Sequence, residues 1–155
     1  MTDPLSVSHA IIAFARTAPP AAVLDCARMR LLDSIGVAVA GATAPPSQAI
    51  IEAGRVLSGQ GPCHVLGSDA RLGPAAAALV NGALIHTLDF DDTHLAGSIH
   101  PSAAVIGASL AAIDLTGGTV GDLLRAIAIG TEVACWLSEI SPGELHARGF
   151  LPTAV

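Results

Sequence analysis

The stretch that decides the fold runs from Pro74 to Leu115: PAAAALVNGALIHTLDFDDTHLAGSIHPSAAVIGASLAAIDL. Two apolar, Ala-rich segments flank a polar insert. Pro74 to Leu88 reads as one helix, and Pro101 opens a second that runs to about Leu115, since proline suits the first position of a helix. Between them lie Asp89, Asp91, Asp92, Thr93, His94 and His100, with His86 just before. Polarity on that scale beside apolar helices is costly unless it is hydrogen-bonded, exposed or functional.

Working outward, the rest of the chain is helical with joints marked by proline and glycine. Ser8 to Thr17 and Pro20 to Val39 carry apolar residues at helical spacing, and Gly41 with Pro45-Pro46 ends the second. Ser47 is placed to cap a third helix through about Leu57. Cys63 to Gly67 allows one small strand. Thr119-Val120-Gly121-Asp122 is a variant capping box. The helix after it, to about Ile140, is apolar nearly all round and is expected in the middle of a bundle. The class is mainly α: a helical bundle with at most one or two short strands.

Composition narrows the function. Apolar residues make up 52% and charged residues 13% of the 155, against about a quarter charged in ordinary soluble chains. Pro101 to Ile113 is too short to span a membrane, and Pro74 to Leu88 is broken by Asn81 and His86. No membrane insertion is expected, and the surplus apolar surface calls for a second half of the protein or a partner subunit. Met1 to Ser8 lacks the basic and apolar regions of a signal peptide, so the cytoplasm is the default. The net charge of −6, with scattered Arg and no Lys, argues against nucleic acid. Cys26, Cys63 and Cys135 are too far apart for a zinc or iron–sulfur pattern and read as buried free thiols.

The polar insert is the candidate site. His100 precedes a proline and is therefore extended, at the positive end of the next helix's dipole. An anionic carboxylate is favoured there, and a neutral imidazole beside it can act as a general base. In an extended stretch Asp89 and Asp91 share a side while Asp92 turns away, and Thr93 offers a hydroxyl to a substrate oxygen. A solvated, helix-capping loop is the plain alternative. A metal site is another, because His86, Asp89, Asp91, His94 and His100 are all competent ligands. An EF-hand loop fails, with His94 where Gly is needed and His100 where Glu is needed. The His-Glu-x-x-His, phosphate-loop and Gly-x-Ser-x-Gly patterns are absent.

Asn81-Gly82, His86-x-Leu88-Asp89-Phe90-Asp91-Asp92-Thr93-His94 and His100-Pro101-Ser102 together resemble the MmgE/PrpD family. Supporting likeness runs through Leu31 to Gly36, Val65 to Gly67, Gly149-Phe150 and Pro152 to Val155. The resemblance implies a metal-independent, cofactor-free lyase, a dehydratase or decarboxylase, with an epimerase as the family's other chemistry. Its substrate would be a small di- or tricarboxylic acid such as 2-methylcitrate or cis-aconitate. It implies a cytoplasmic homodimer built from a large all-helical domain and a smaller α/β lid. Residues 1–155 would be the amino-terminal part of the helical domain, with the lid and a returning helical piece absent. By that resemblance Asp89, Thr93 and His100 are the catalytic positions, and Asp91, Asp92, His94 and Ser102 lie on the substrate side. Leu151 stands where family members usually have His. The lysines expected to bind a polycarboxylate are missing, so the 155 residues are not expected to turn over substrate alone. A non-catalytic helical module, and an unrelated metal-binding protein, are the rival readings.

Overall fold

A computed structural model describes residues 4–140, 143–150 and 153. The chain is mainly α. Its elements are α1 (Pro4–Ala15), α2 (Ala21–Gly41), α3 (Ser47–Ser58), β1 (Gln60–His64), β2 (Arg71–Leu72), α4 (Pro74–His86), α5 (Pro101–Thr116), α6 (Val120–Ser138) and the single turn α7 (Glu144–Ala147). The two strands form an antiparallel pair. No helix among the described residues is long and apolar enough to cross a membrane.

The deciding stretch folds as its pattern predicts. Gly73 and His100 precede Pro74 and Pro101, and each proline sits at the head of its helix. The two helices then run antiparallel in close contact. Small residues permit this: a Cβ on Gly107 would lie 2.7 Å from the Ala78 carbonyl oxygen, and one on Gly82 2.9 Å from that of Ala103. Val80, Leu84, Ile85 and Ile106 are fully buried at this crossing, with Leu72 and Ile127 beside them. Burying each such side chain stabilises the fold by about 1.5–3 kcal/mol. α4 also packs on α2 and α3, so its carboxy-terminal end is fixed from several sides.

Four expectations need correction. Ser47 does not cap α3; it begins that helix, and its buried hydroxyl donates to the Gly41 carbonyl at 2.5 Å. Gly41 is used for close packing, since a Cβ there would lie 2.5 Å from the Leu84 carbonyl oxygen. The strand lies earlier than Cys63 to Gly67. The buried Asn81 amide accepts from Leu66 N–H and donates to the His64 carbonyl, taking the chain out of the ladder there. Cys63 is buried, and burial pushes its thiol upward, but Cys26 lies exposed on the outer face of α2.

The fourth concerns α6. It is a marginal helix, burying only Leu123, Leu124 and Ile127 among its described residues. Trp136 and Leu137 remain 48% exposed. Apolar character all round a helix records how much cover it needs, and among the described residues α5, α2 and α1 supply part of it. The capping box at its start is present: Thr119 Oγ1 accepts from Asp122 N–H, and the Asp122 carboxylate accepts from Thr119 N–H at 2.9 Å.

Candidate active site

The loop between α4 and α5 is held by its own backbone. Asp89 N–H donates to the His86 carbonyl at 3.0 Å, turning the chain at the end of α4. His94 and Ile99 form an antiparallel bridge, with His94 N–H donating to the Ile99 carbonyl at 2.8 Å. Asp89 and Ser98 adopt left-handed backbone conformations, φ 55° and 54°. A short polar side chain tolerates that region better than a branched one. The bridge returns the chain so that His100, at the head of α5, faces the end of α4.

Three side chains meet there. The Asp91 carboxylate is completely buried. His86 Nδ1 lies 3.0 and 3.1 Å from its two oxygens and donates to them. His100 Nδ1 lies 3.6 Å from the same Oδ1 and 3.4 Å from the Asp91 carbonyl. The two imidazole rings are 4.8 Å apart, tilted by 58°. On the other side of His100, Nε2 is 3.8 Å from Oδ1 of Asp89, whose side chain is 78% exposed. One imidazole thus has a buried carboxylate behind it and an exposed carboxylate in front. His86, Asp89, Asp91 and His100 are also the group among the described residues able to close on a metal, their ligand atoms lying within 4.8 Å of one another.

The neighbouring residues hold this arrangement. Asp92 Oδ1 accepts from Ser102 N–H at 3.1 Å, capping the first turn of α5. Its other oxygen forms an ion pair with Arg30 of α2. His94 Nε2 pairs with Glu139 at 2.7 Å, just beyond α6. Thr153 Oγ1 accepts from His100 N–H at 3.0 Å. Thr93 is exposed on the loop. Ser102 Oγ is buried and has no hydrogen-bond partner among the described residues. An open apolar groove of about 420 Å3 runs between α4 and α5, bounded by Leu79, Gly82, Ala103, Thr153 and, at one end, His86. Leu151 lies outside the described residues.

The structure therefore brings His86, Asp89, Asp91 and His100 together, and turns Asp92 and His94 toward Arg30 and Glu139. Sequence reasoning passed over Arg30 and left His86 as a metal candidate. The surplus of aspartates in the loop was the available signal for Arg30, because a half-buried carboxylate calls for a cation.

Known proteins resemble this chain over much of its length. The chain is 34% identical over 118 residues to cis-aconitate decarboxylase of Aspergillus terreus, covering 73% of the chain. It is 33% identical over 117 residues to the mouse enzyme of the same name, covering 72%. A cis-aconitate decarboxylase-like protein, oryM, of Aspergillus oryzae is 35% identical over 96 residues, 62% of the chain. The chain spans 24% of the length of the first and second of these and 20% of the third. No solved structure matches. Residues 7–155 match the MmgE/PrpD N-terminal domain, and the chain belongs to the MmgE/PrpD family.

Proposed function

We propose that this chain carries the proton-handling half of a metal-independent lyase acting on a small di- or tricarboxylic acid. The observation that carries the reading is His100, set at the head of α5 with Nδ1 toward the buried Asp91 and Nε2 toward the exposed Asp89. The name of the relatives, cis-aconitate decarboxylase, supports the substrate class.

The substrate carboxylate lies beside the amino-terminal end of α5, where the helix dipole favours an anion. Ser102 Oγ, buried and without a hydrogen-bond partner among the described residues, is the hydroxyl on that turn with hydrogen-bonding capacity to spare. Thr93 anchors a second substrate oxygen. In a dehydration His100 Nε2 takes the proton α to the carboxylate as the β-hydroxyl leaves, proton and hydroxyl departing as water. In an epimerisation it takes that proton, and one is returned to the other face of the same carbon. In a decarboxylation it returns a proton to the carbanion left by carbon dioxide. Either way the imidazolium is stabilised by Asp91 behind it, and Asp89 guides the proton in front. Asp91, Asp92 and His94 act on the substrate side by holding the loop that presents these groups.

Arg30 is already paired with Asp92, so the cations that neutralise a polycarboxylate come from the remainder of a longer, cytoplasmic, homodimeric enzyme. The same fact favours a second reading, a helical module that binds an acid or a partner without turning it over. Turnover by a full-length enzyme containing these residues separates the two. In that enzyme Asp89→Asn and His100→Ala are each expected to lower kcat about 10²- to 10⁴-fold with folding intact. Retained turnover in both variants would sink the proposed roles.

A further inference from the structure

We infer that His86 is a positioning residue, which fixes the Asp91 carboxylate so that Asp91 in turn aims His100. This rests on the role proposed above for His100.

Asp91 is a fully buried carboxylate whose described side-chain partners are two imidazoles. His86 makes the closer contact, reaching both oxygens from one nitrogen at 3.0 and 3.1 Å. A carboxylate gripped that way has one orientation, and in it Oδ1 lies 3.6 Å from His100 Nδ1. Without the grip the carboxylate is free to rotate, and His100 loses its fixed neighbour. The backbone places His86 for this task. It ends α4, and the following turn, closed by Asp89 N–H on the His86 carbonyl, brings Asp91 back under its ring. The charged and titratable groups around it are Asp91 and Asp89 from the loop, His100 from the head of α5, and the Arg30–Asp92 pair that ties the loop to α2. His86 also borders the apolar groove, yet its Nδ1 points to Asp91, so its polar function is turned inward.

The part that matters is one N–H donor at the Nδ1 position. An asparagine amide supplies a donor near that place; leucine fills similar space without one. The test uses the full-length enzyme and three variants, His86→Asn, His86→Leu and His100→Gln, with kcat, KM and thermal midpoint measured for each. His86→Leu is expected to lower kcat about tenfold to a hundredfold, the cost of a misaimed catalytic group, with KM changed less than about threefold. His86→Asn is expected to recover kcat to within about threefold of the parent.

If His86→Leu keeps kcat within that margin, or if Asn and Leu lose it equally while both remain folded, the inference is overturned. If leucine prevents folding, the asparagine variant decides alone: a folded protein with strongly reduced kcat overturns the donor role. His100→Gln separates the two levels of the argument. Retained turnover there removes the proposed role of His100 itself, whereas lost turnover there with an unaffected His86→Leu removes only this inference.

Discussion

Three histidines among the described residues have an aspartate at Nδ1, His64, His86 and His100, and the contrast between the first and the last is instructive. His64, at the end of β1, places Nδ1 3.0 Å from Asp114 of α5, and its backbone N–H donates to the same carboxylate at 2.7 Å. Its Nε2 is then taken by Arg71 at 2.8 Å. Both nitrogens are engaged, the ring is 64% exposed, and the assembly pins the strand pair to α5. His100 differs in what lies behind it and in front of it. Its aspartate is completely buried, and among the described residues its Nε2 faces Asp89 at 3.8 Å. A histidine–aspartate pair alone therefore says little about chemistry. The informative combination is a buried carboxylate behind the ring and an exposed one in front of it.

The comparison is broken or sharpened most by the two aspartates. In the full-length enzyme, Asp91→Asn is expected to cut kcat about 10²- to 10⁴-fold, because an amide neither fixes nor stabilises the imidazolium. Asp114→Asn should leave kcat unchanged and cost about 0.5–1.5 kcal/mol in denaturant unfolding. Equal losses of kcat in both variants would erase the distinction.

The next effect is on stability. Arg30 pairs with Asp92, the cap of α5, whereas Arg71 pairs with a solvent-facing ring. Arg30→Met should cost about 1–3 kcal/mol, since it leaves a half-buried carboxylate without its cation. Arg71→Met should cost less than half of that, and a reversed order in urea melts would show that the Asp92 cap stands without Arg30.

The smallest effect lies away from both histidines, at the start of α6. Hydrogen bonds from the Thr119 hydroxyl, then from its backbone N–H, hold the Asp122 carboxyl below its ordinary value of 3.8. Because the folded value is lowered, the contribution is full above 3.8 and disappears as pH falls through the folded value. Thr119→Val should flatten the acid limb of the stability profile between those two points and leave the neutral plateau's pH dependence unchanged. An unaltered acid limb would mean that Asp122 keeps its low value without the cap.

Much of this was readable from local chemistry. Pro74 and Pro101 announce their helices, Thr119 and Asp122 announce a cap, and the polarity of Asp89 to His100 announces a candidate site. Each is a statement about residues near in sequence. What could not be read depends on distant partners. Arg30 lies sixty-odd positions before Asp92, and nothing in the spacing of α2 points to the pairing. The inward turn of His86 follows from the left-handed conformation at Asp89, which sequence pattern does not report. The marginal position of α6 escaped for the opposite reason: its apolar residues state a demand for cover, not which neighbours supply it.

The left-handed backbone at Asp89 also shapes how such a site would decay in a lineage that no longer needs it. Asparagine and glycine accept that conformation as readily as aspartate, while valine, isoleucine and threonine do not. Position 89 can therefore drift to Asn or Gly without disturbing the loop. Asp91, Asp92 and His86 are tied into the loop by contacts that need no substrate. Erosion of the proposed site would run from the solvent-facing corner inward, and the buried positions would be the last to record it.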